Sequence, residues 1–184
     1  MIERKTTKDL ILSSLYDLLQ EKPYEKITVS AIVKNCGISQ RTFYNHFKDK
    51  HELMEWSYLH VIDDYYENNR EDMTFRKWLA LITETTWEHR LMLQKFIQYS
   101  GQNSMRISLH QPLTRRCMNL IQDVYGDSVT EELESAVSFY VGGLISYVER
   151  ALSEPETPVP EKSIRLFETC TPVCMEKYLG EAYS

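Results

Sequence analysis

Apolar residues recur every three or four positions along most of the chain, which is the spacing of an amphipathic α-helix. The first such stripe follows Thr6 and Thr7, either of which can cap the start of a helix. It consists of Leu10, Ile11, Leu15, Leu18 and Leu19. Pro23 then predicts the end of this first helix, because proline lacks the backbone N–H that a helix interior needs.

Two short helices are predicted next, separated by a tight turn. Thr28 is a suitable N-cap for a second helix that extends to about residue 35. Gly37 suits a left-handed backbone in the turn, because glycine has no Cβ to clash there. Ser39 then caps a third helix that runs from Gln40 to about Phe47.

Longer helices are predicted for the rest of the chain. Asp49 and Glu52 resemble a capping box at the start of a fourth helix, which ends near Asn69. Further helical periodicity covers residues 75–88, 91–99, 105–125, 130–152 and 161–179, with a proline-rich linker at 154–160. These patterns predict an all-α protein of about nine helices, with a head of residues 1–50 and a helical-bundle body of residues 51–184.

Composition limits the environments in which the protein works. The chain has 184 residues with only 6 glycines and 6 prolines. No stretch approaches the ~18 consecutive apolar residues of a membrane-spanning helix. The opening residues, Met-Ile-Glu-Arg-Lys-Thr, lack the apolar core of a signal peptide. We therefore expect a cytoplasmic protein that does not contact a membrane.

The net charge of −6 conceals a difference between the two parts. The head carries nine Lys and Arg against six Asp and Glu, a net charge of +3, whereas the body has a net charge of −9. A basic head on an acidic body is typical of a protein that binds nucleic acid with one domain only.

The four cysteines do not form a disulfide framework, and free thiols are expected in a reducing compartment. They are Cys36, Cys117, Cys170 and Cys174. The last two are four residues apart and could share a helix face as a metal or redox pair. Pro172 makes a regular helix there uncertain and no histidine lies nearby, so we interpret them as small buried residues. No metal or cofactor is expected.

The third helix has two chemically different faces. On a helical wheel Phe43 and Phe47 fall together and should pack into the core of the head. The opposite side carries Arg41, Thr42 and Asn45, with Tyr44 and His46 flanking them. A helix, a glycine turn and a second helix with a polar outer face form a helix-turn-helix motif. In that motif central side chains reach base edges and flanking ones reach the sugar-phosphate backbone.

Two helix N-termini add groups that favour phosphate. The starts near Thr28 and Asp49 present free N–H groups and the positive end of a helix dipole. Lys50 adds a full positive charge at the second of them.

The segment from Ile27 to Lys50 closely resembles the DNA-binding domain of TetR-family transcription regulators. Its most specific part is the pattern Ser39-x-x-Thr42-Phe43-Tyr44-x-His46-Phe47-x-x-Lys50. The strong resemblance covers about residues 6–55, and the rest is similar only in length and helical content. Val33 and Cys36 replace the usual alanines of the family. The turn Lys22-Pro23-Tyr24 is similar to that of a subgroup that includes regulators of dihydroxyacetone kinase operons.

The resemblance implies roles for nine residues in binding double-stranded operator DNA. Family positions that match Thr28, Tyr44, His46 and Lys50 contact phosphates. Those that match Gln40, Arg41, Thr42 and Asn45 lie in or near the major groove. Ser39, at the start of the same helix, completes the predicted set.

The resemblance also implies a homodimer formed by the last two long helices, predicted over 130–152 and 161–179. On the first of them, helical spacing brings together Phe139, Gly143, Ser146, Tyr147 and Arg150. An internal core helix would explain the same pattern.

A small, largely apolar effector is expected in the body, in a cavity of a few hundred Å³ as in ordinary ligand sites. The candidate wall residues are Trp87, Phe96, Tyr99, His110 and Phe139, although ordinary core packing explains each of them taken singly. Effector binding is expected to tilt the fourth helix and so change the spacing of the two heads.

Three classes of function are compatible with an all-α protein of this kind. The favoured one is a dimeric operator-binding regulator, taken as a repressor, that a small molecule controls. The second is a co-regulator or activator of the same fold that a protein partner controls, and a body without a cavity would favour it. The third is an all-helical enzyme, but we find no metal-ligand cluster, phosphate-binding glycine loop or nucleophile–base motif.

Overall fold

The computed structural model describes residues 6–97, 105–154 and 160–180. These residues form nine α-helices: α1 (Thr7–Glu21), α2 (Val29–Cys36), α3 (Gln40–Tyr44), α4 (Lys50–Asn68), α5 (Phe75–Glu88), α6 (Arg90–Ile97), α7 (Met105–Tyr125), α8 (Glu131–Ser153) and α9 (Pro160–Thr169). They also form three 3-10 turns, at Tyr24–Lys26, Arg70–Asp72 and Val173–Tyr178. The prediction of an all-α fold with about nine helices is confirmed. None of the described helices is long and apolar enough to span a membrane.

Polar caps fix the starts of the helices of the head. Thr6 and Asp9 form a capping box at α1, with the Thr6 N–H donating to Asp9 Oδ2 at 2.7 Å and the Asp9 N–H donating to Thr6 Oγ1 at 3.2 Å. Asp49 caps α4, where its Oδ1 accepts from the N–H of His51 at 2.8 Å and of Glu52 at 2.9 Å. Each bond satisfies an N–H group that the first helical turn leaves without a partner.

One continuous hydrophobic core joins the head to the body. Phe43 and Phe47 belong to it in the head, as predicted, and Trp78 of α5 belongs to it in the body. The long α4 is common to both parts, because its buried side chains from Leu53 to Ile62 lie in the same core.

A second connection between the parts runs through α6. Lys95 donates from Nζ to the carbonyl oxygen of Leu19, near the end of α1. The neighbouring Gln94 donates from Nε2 to the carbonyl oxygen of Leu152, near the end of α8, at 3.0 Å. The head is therefore attached to the body at α1 as well as at α4.

The C-terminal helix is shorter than predicted. α9 ends at Thr169 instead of residue 179, and the chain resumes after Pro172 as a 3-10 turn. Proline cannot donate a hydrogen bond to the preceding helical turn, which accounts for the break. Cys170 follows α9 and Cys174 lies in the 3-10 turn, both exposed, so their interpretation as buried residues is wrong. Cys117 is buried, which raises the pKa of its thiol.

Candidate nucleic-acid interface and body cavity

α3 turns its aromatic side chains to the core and its polar side chains to solvent. Phe43 and Phe47 are both buried. Most of the predicted DNA-contacting side chains of this segment are exposed, namely Ser39, Gln40, Arg41, Tyr44, Asn45 and His46, while Thr42 is half-buried. Tyr44 has 55% of its surface exposed and meets the Phe43 ring edge-on.

α3 is shorter than the sequence predicts: it ends at Tyr44 instead of about Phe47. The N–H of Asn45 still donates to the carbonyl oxygen of Arg41 at 3.0 Å. The N–H of His46, however, donates to the carbonyl oxygen of Phe43 at 2.9 Å, which closes a tighter turn. Asn45 keeps a right-handed helical backbone, with φ of −73° and ψ of −18°, so its direction still agrees with the helical wheel, and the turn tightens only at His46.

The turn before α3 has the geometry that the sequence predicts. Gly37 adopts a left-handed backbone with φ of 73°. Ser39 Oγ accepts from the N–H of Thr42 at 3.0 Å and lies 2.9 Å from the Thr42 hydroxyl. Thr28 Oγ1 accepts from the N–H of Ala31 at 3.1 Å and caps α2. Both predicted caps are present, and Thr28 is exposed at the helix start.

The Lys50 side chain lies against the 3-10 turn Tyr24–Lys26. Its Nζ donates to the carbonyl oxygens of Tyr24 at 2.7 Å and Ile27 at 2.9 Å. Burial lowers the pKa of Lys50, although the charges of Glu25 and Asp49 act in the opposite direction. Sequence analysis missed these bonds because they join positions more than twenty residues apart. A phosphate contact by Lys50 stays a prediction.

A largely apolar cavity lies in the body between α4, α5, α7, α8 and α9. Its volume is about 50 Å³, far below the few hundred Å³ expected from the sequence. The wall combines aliphatic side chains with aromatic and hydroxyl-bearing residues, which include Tyr58, Trp78, Thr83, Thr86, Trp87, Tyr147, Ser163 and Phe167.

The predicted effector residues are divided between two sites. Trp87 lines the cavity. His110 and Phe139 lie on the outer faces of α7 and α8, where they border an open groove instead. The side chain of Phe96 and the whole of Tyr99 lie outside the described residues.

The hydroxyl groups in the cavity wall bond to the protein itself. The hydroxyls of Tyr58 and Thr86 lie 2.8 Å apart, and Thr86 Oγ1 also donates to the carbonyl oxygen of Ile82. Thr83 Oγ1 donates to the carbonyl oxygen of Leu79 at 2.7 Å. Burial raises the pKa of Tyr58 to about 12, so it stays protonated. Sequence analysis missed these residues, but threonines at buried positions of α5 are a signal that could have indicated them.

The outer surface of α7 and α8, here the α7/α8 face, exposes large apolar side chains. Phe139 has 83% and Ile107 65% of its surface exposed. A Cβ at Gly142 would lie 3.4 Å from His110 Nε2, so this glycine permits the close approach of α7 to α8. Gly143 faces open space and leaves a shallow floor beside Phe139.

The described residues include no group of three or more His, Cys, Asp and Glu side chains placed to hold a metal ion. The candidate functional features are the solvent-facing polar side of α3, the internal cavity of the body and the exposed apolar α7/α8 face.

Two short helices joined by a glycine turn, with a polar second helix exposed to solvent, define a helix-turn-helix DNA-binding protein. Residues 11–55 match the family model described as "Bacterial regulatory proteins, tetR family". The match covers the helix-turn-helix and the start of α4, so this part of the chain is similar to the DNA-binding domain of that family.

The sequence is also similar to a curated regulator from Lactococcus lactis, the "HTH-type dhaKLM operon transcriptional activator DhaS". The two are 28% identical over 89 residues, which cover 48% of this chain and 48% of the relative. The match thus spans about half the length of that relative.

Two solved structures have the same fold over nearly the whole chain. The "Dihydroxyacetone kinase operon activator DhaS" has a TM-score of 0.60 and 18% identity, covering 94% of this chain and 97% of that one. A TetR transcriptional regulator from Streptococcus agalactiae has a TM-score of 0.59 and 20% identity, covering 90% and 93%. The sequence predicts a weak resemblance to regulators of dihydroxyacetone kinase operons, and these comparisons confirm it.

Proposed function

We propose that the protein is a dimeric, sequence-specific transcription regulator whose affinity for operator DNA changes when a small molecule binds the body. The observation that carries this proposal is the two-sided α3. Its buried Phe43 fixes the helix to the head, while Gln40 and Arg41 are exposed for contact with bases. The expected place of action is the cytoplasm, where bacterial operators lie.

Each group of exposed side chains has a separate task in the proposed complex. Arg41 is suited to the two acceptors of guanine in the major groove, and Gln40 and Asn45 to adenine. Thr42 lies in or near the same groove. Thr28, Ser39, Tyr44 and His46 would contact the sugar-phosphate backbone from the helix starts and the turn after α3. Lys50, at the start of α4, would contact phosphate as well.

Selection of DNA from a random-sequence pool tests this part of the proposal. Wild-type protein should enrich a near-palindromic site, because two heads related by a two-fold axis read two inverted half-sites. A variant with Gln40, Arg41 and Asn45 all changed to alanine should enrich nothing. As the control, Lys162→Ala and Arg165→Ala together remove exposed charges from α9 and should leave the site unchanged. Failure of the wild-type protein to enrich any sequence would contradict DNA reading.

The α7/α8 face is the proposed dimer interface. Large exposed apolar side chains rarely stand together on a monomer surface, and a second copy would bury Phe139 and Ile107. The sequence predicts α8 with the last helix for this role. We assign α7 in place of α9, because α9 packs on α5 within the same chain.

Charge supports an antiparallel pairing of the two α8 helices. The acidic residues Glu131 and Glu134 lie at the start of α8, and Arg106 lies beside its second half, where its N–H donates to Glu149. A two-fold axis near Val141 would bring the acidic start of one α8 toward Arg106 beside the other α8. The same axis would place Phe139 opposite Gly143 of the partner subunit.

The cavity is the proposed effector site, and its chemistry limits the ligand. No charged side chain belongs to its described wall, so an ionic group would be buried without a partner at high cost. The ligand is therefore expected to be uncharged and mostly apolar. Because about 50 Å³ holds only a few atoms, a larger ligand enters only if the wall helices move apart.

The movement of the wall helices would couple ligand binding in the cavity to DNA binding by the head. Tyr58 lies in the cavity wall and on α4, the helix that begins at the head. Displacing α4 would alter the spacing of the two heads. A ligand shifts that equilibrium only by its preference for one spacing over the other.

Small neutral and charged probes of similar shape test the effector site. Toluene and indole should raise the thermal midpoint of unfolding and change operator affinity, whereas benzoate should do neither. Ala151 lines the cavity, so Ala151→Leu should fill it and abolish the effect of the neutral probes. If neither these probes nor a screen of uncharged metabolites stabilises the protein, control by a protein partner replaces the small-molecule proposal.

The sign of regulation is a further part of the proposal. We take repression as the favoured outcome, while the similar regulator DhaS is named an activator. A reporter gene placed behind the selected site decides between them: repression predicts higher expression when the regulator is deleted, and activation predicts lower expression.

A further inference from the structure

Two hydroxyl groups of the cavity wall face each other across the junction of α8 and α9. They belong to Tyr147 and Ser163, which both line the cavity. Their oxygen atoms lie 3.3 Å apart, which is longer than the roughly 2.5–3.0 Å of an ordinary hydrogen bond between oxygens. The contact between them is therefore weak, and a better acceptor can replace it.

Other hydroxyl groups of the wall have already used their protons. Thr83 donates to the carbonyl oxygen of Leu79, and Thr86 donates to that of Ile82, both at 2.7 Å. Because the Thr86 proton is used in that bond, the Tyr58 hydroxyl is the donor in its 2.8 Å contact with Thr86 Oγ1. These three groups have no proton left for a ligand.

The pair formed by Tyr147 and Ser163 does have a proton to spare. Each hydroxyl carries one proton, and the single bond between the two groups uses only one of them. Neither group forms another hydrogen bond within the described part of the chain. A carbonyl oxygen has two lone pairs, so one inserted between the two hydroxyls accepts both protons.

We propose that this hydroxyl pair is the polar recognition site of the cavity, and that it recognises a neutral ligand by its carbonyl oxygen, as in a ketone or an ester. The inference rests on the proposed effector site and narrows the class of its ligand. The carbonyl oxygen lies between Tyr147 and Ser163, while the apolar part of the ligand lies against aliphatic wall residues such as Leu144 and Ala151.

The attachment of α9 allows this insertion. Near the end of the helix, the Tyr140 hydroxyl donates to the carbonyl oxygen of Phe167 at 2.7 Å, and Arg76 forms an ion pair with Glu168 at 2.8 Å. Ser163 lies instead in the first turn of α9, where its link to α8 is the long contact with Tyr147. The start of α9 can therefore move away from α8 while its end stays attached.

Two probes that differ in one group test the proposal. Cyclohexanone and methylenecyclohexane have nearly the same shape, but only the ketone accepts a hydrogen bond. Tyr147→Phe and Ser163→Ala should each weaken cyclohexanone binding by about fivefold, the effect of losing one hydrogen bond, and should not weaken methylenecyclohexane binding. Tyr58→Phe is the matched control: it removes a hydroxyl from the same wall, but one whose proton is already used, so neither affinity should change.

The ¹³C NMR signal of the carbonyl carbon provides a test in the wild-type protein. Hydrogen bonds from water move the signal of free cyclohexanone downfield from its position in a hydrocarbon solvent. Cyclohexanone bound between two hydroxyl donors should keep a signal near the aqueous position. In a cavity that offers no donor, the signal moves to the hydrocarbon position.

The outcomes separate this inference from the proposed effector site. A bound signal at the hydrocarbon position, or unchanged cyclohexanone affinity in both Tyr147→Phe and Ser163→Ala, would overturn recognition by the hydroxyl pair. The effector site would still stand if methylenecyclohexane binds the wild-type protein. If calorimetry finds that neither probe binds, the small-molecule part of the proposed function fails and this inference fails with it.

Discussion

The head and the body differ in how completely their own side chains fill the interior and cover apolar surface. In the head, aromatic side chains fill the core and the exposed side chains of α3 are polar. In the body, an internal cavity of about 50 Å³ remains and Phe139 is exposed over 83% of its surface. A head packed in this way suits a rigid reading surface, whereas the spaces left in the body suit a ligand and a second subunit.

The tight packing of the head predicts the largest effect of a single substitution. Phe43 is fully buried, so Phe43→Ala should lower the free energy of unfolding by about 3–5 kcal/mol. Phe167→Ala makes the same change at a buried residue that borders the cavity and should cost less, about 3 kcal/mol or below. Chemical denaturation measures both values. Equal costs would remove the contrast in packing between head and body.

The exposed face of the body predicts the next effect. Phe139→Asp should place a charge in the proposed dimer interface, so light scattering should find a dimer for the wild-type protein and a monomer for the variant. Operator affinity should fall at least about 30-fold, the effect expected of an interface hot spot. Val173→Asp is the matched control, because Val173 is equally exposed but lies outside the α7/α8 face. A Phe139→Asp protein that stays dimeric would show that another surface joins the subunits.

A smaller effect is expected at the hydroxyl network of the cavity. Tyr58→Phe removes the Tyr58 hydroxyl bond to Thr86 but leaves the Thr86 bond to the Ile82 carbonyl. The cost should be about 1 kcal/mol, the ordinary value of one hydrogen bond. Binding of toluene should persist, since the wall becomes still less polar. Loss of toluene binding in a folded Tyr58→Phe protein would contradict an apolar effector site.

The smallest effect concerns two histidines at junctions with the head. His51 contacts Tyr24, and His89 lies 3.4 Å from the Tyr16 hydroxyl. Burial lowers the pKa of both below 6.5, so the unfolded chain binds protons more readily than the folded one. Stability from these groups is complete above pH 6.5 and decreases as the pH falls through it. Thermal unfolding from pH 7.5 to 5.5 should show this decrease, and His89→Gln should reduce it; an unchanged profile would rule out the contribution of His89.

The sequence was sufficient for the local features of the head. Helix starts depend on neighbouring residues, so Thr6, Thr28, Ser39 and Asp49 could be identified as caps without a structure. Gly37 is equally local, because only its own backbone conformation is involved.

Features that depend on distant contacts could not be predicted in the same way. The hydrogen bonds of Lys50 to the Tyr24 and Ile27 carbonyl oxygens join distant segments through the backbone, which leaves no trace in side-chain patterns. Residue type suggested Phe139, His110 and Trp87 as wall candidates, but residue type does not reveal which side of the bundle each side chain faces. Pro172 is a local signal for the end of α9, but the prediction followed the helical periodicity of residues 161–179 instead.

The sequence preference of Arg41→Ala tests most directly whether α3 reads bases. Binding of the wild-type and variant proteins to all single-base changes of the selected operator should be measured at one salt concentration. Arg41→Ala should lose about 1–3 kcal/mol on the best site and relax the preference at one position in each half-site. Arg165→Ala, an exposed arginine on α9, should leave the profile unchanged. An unaltered preference in Arg41→Ala would contradict the assignment of α3 as the recognition helix in this orientation.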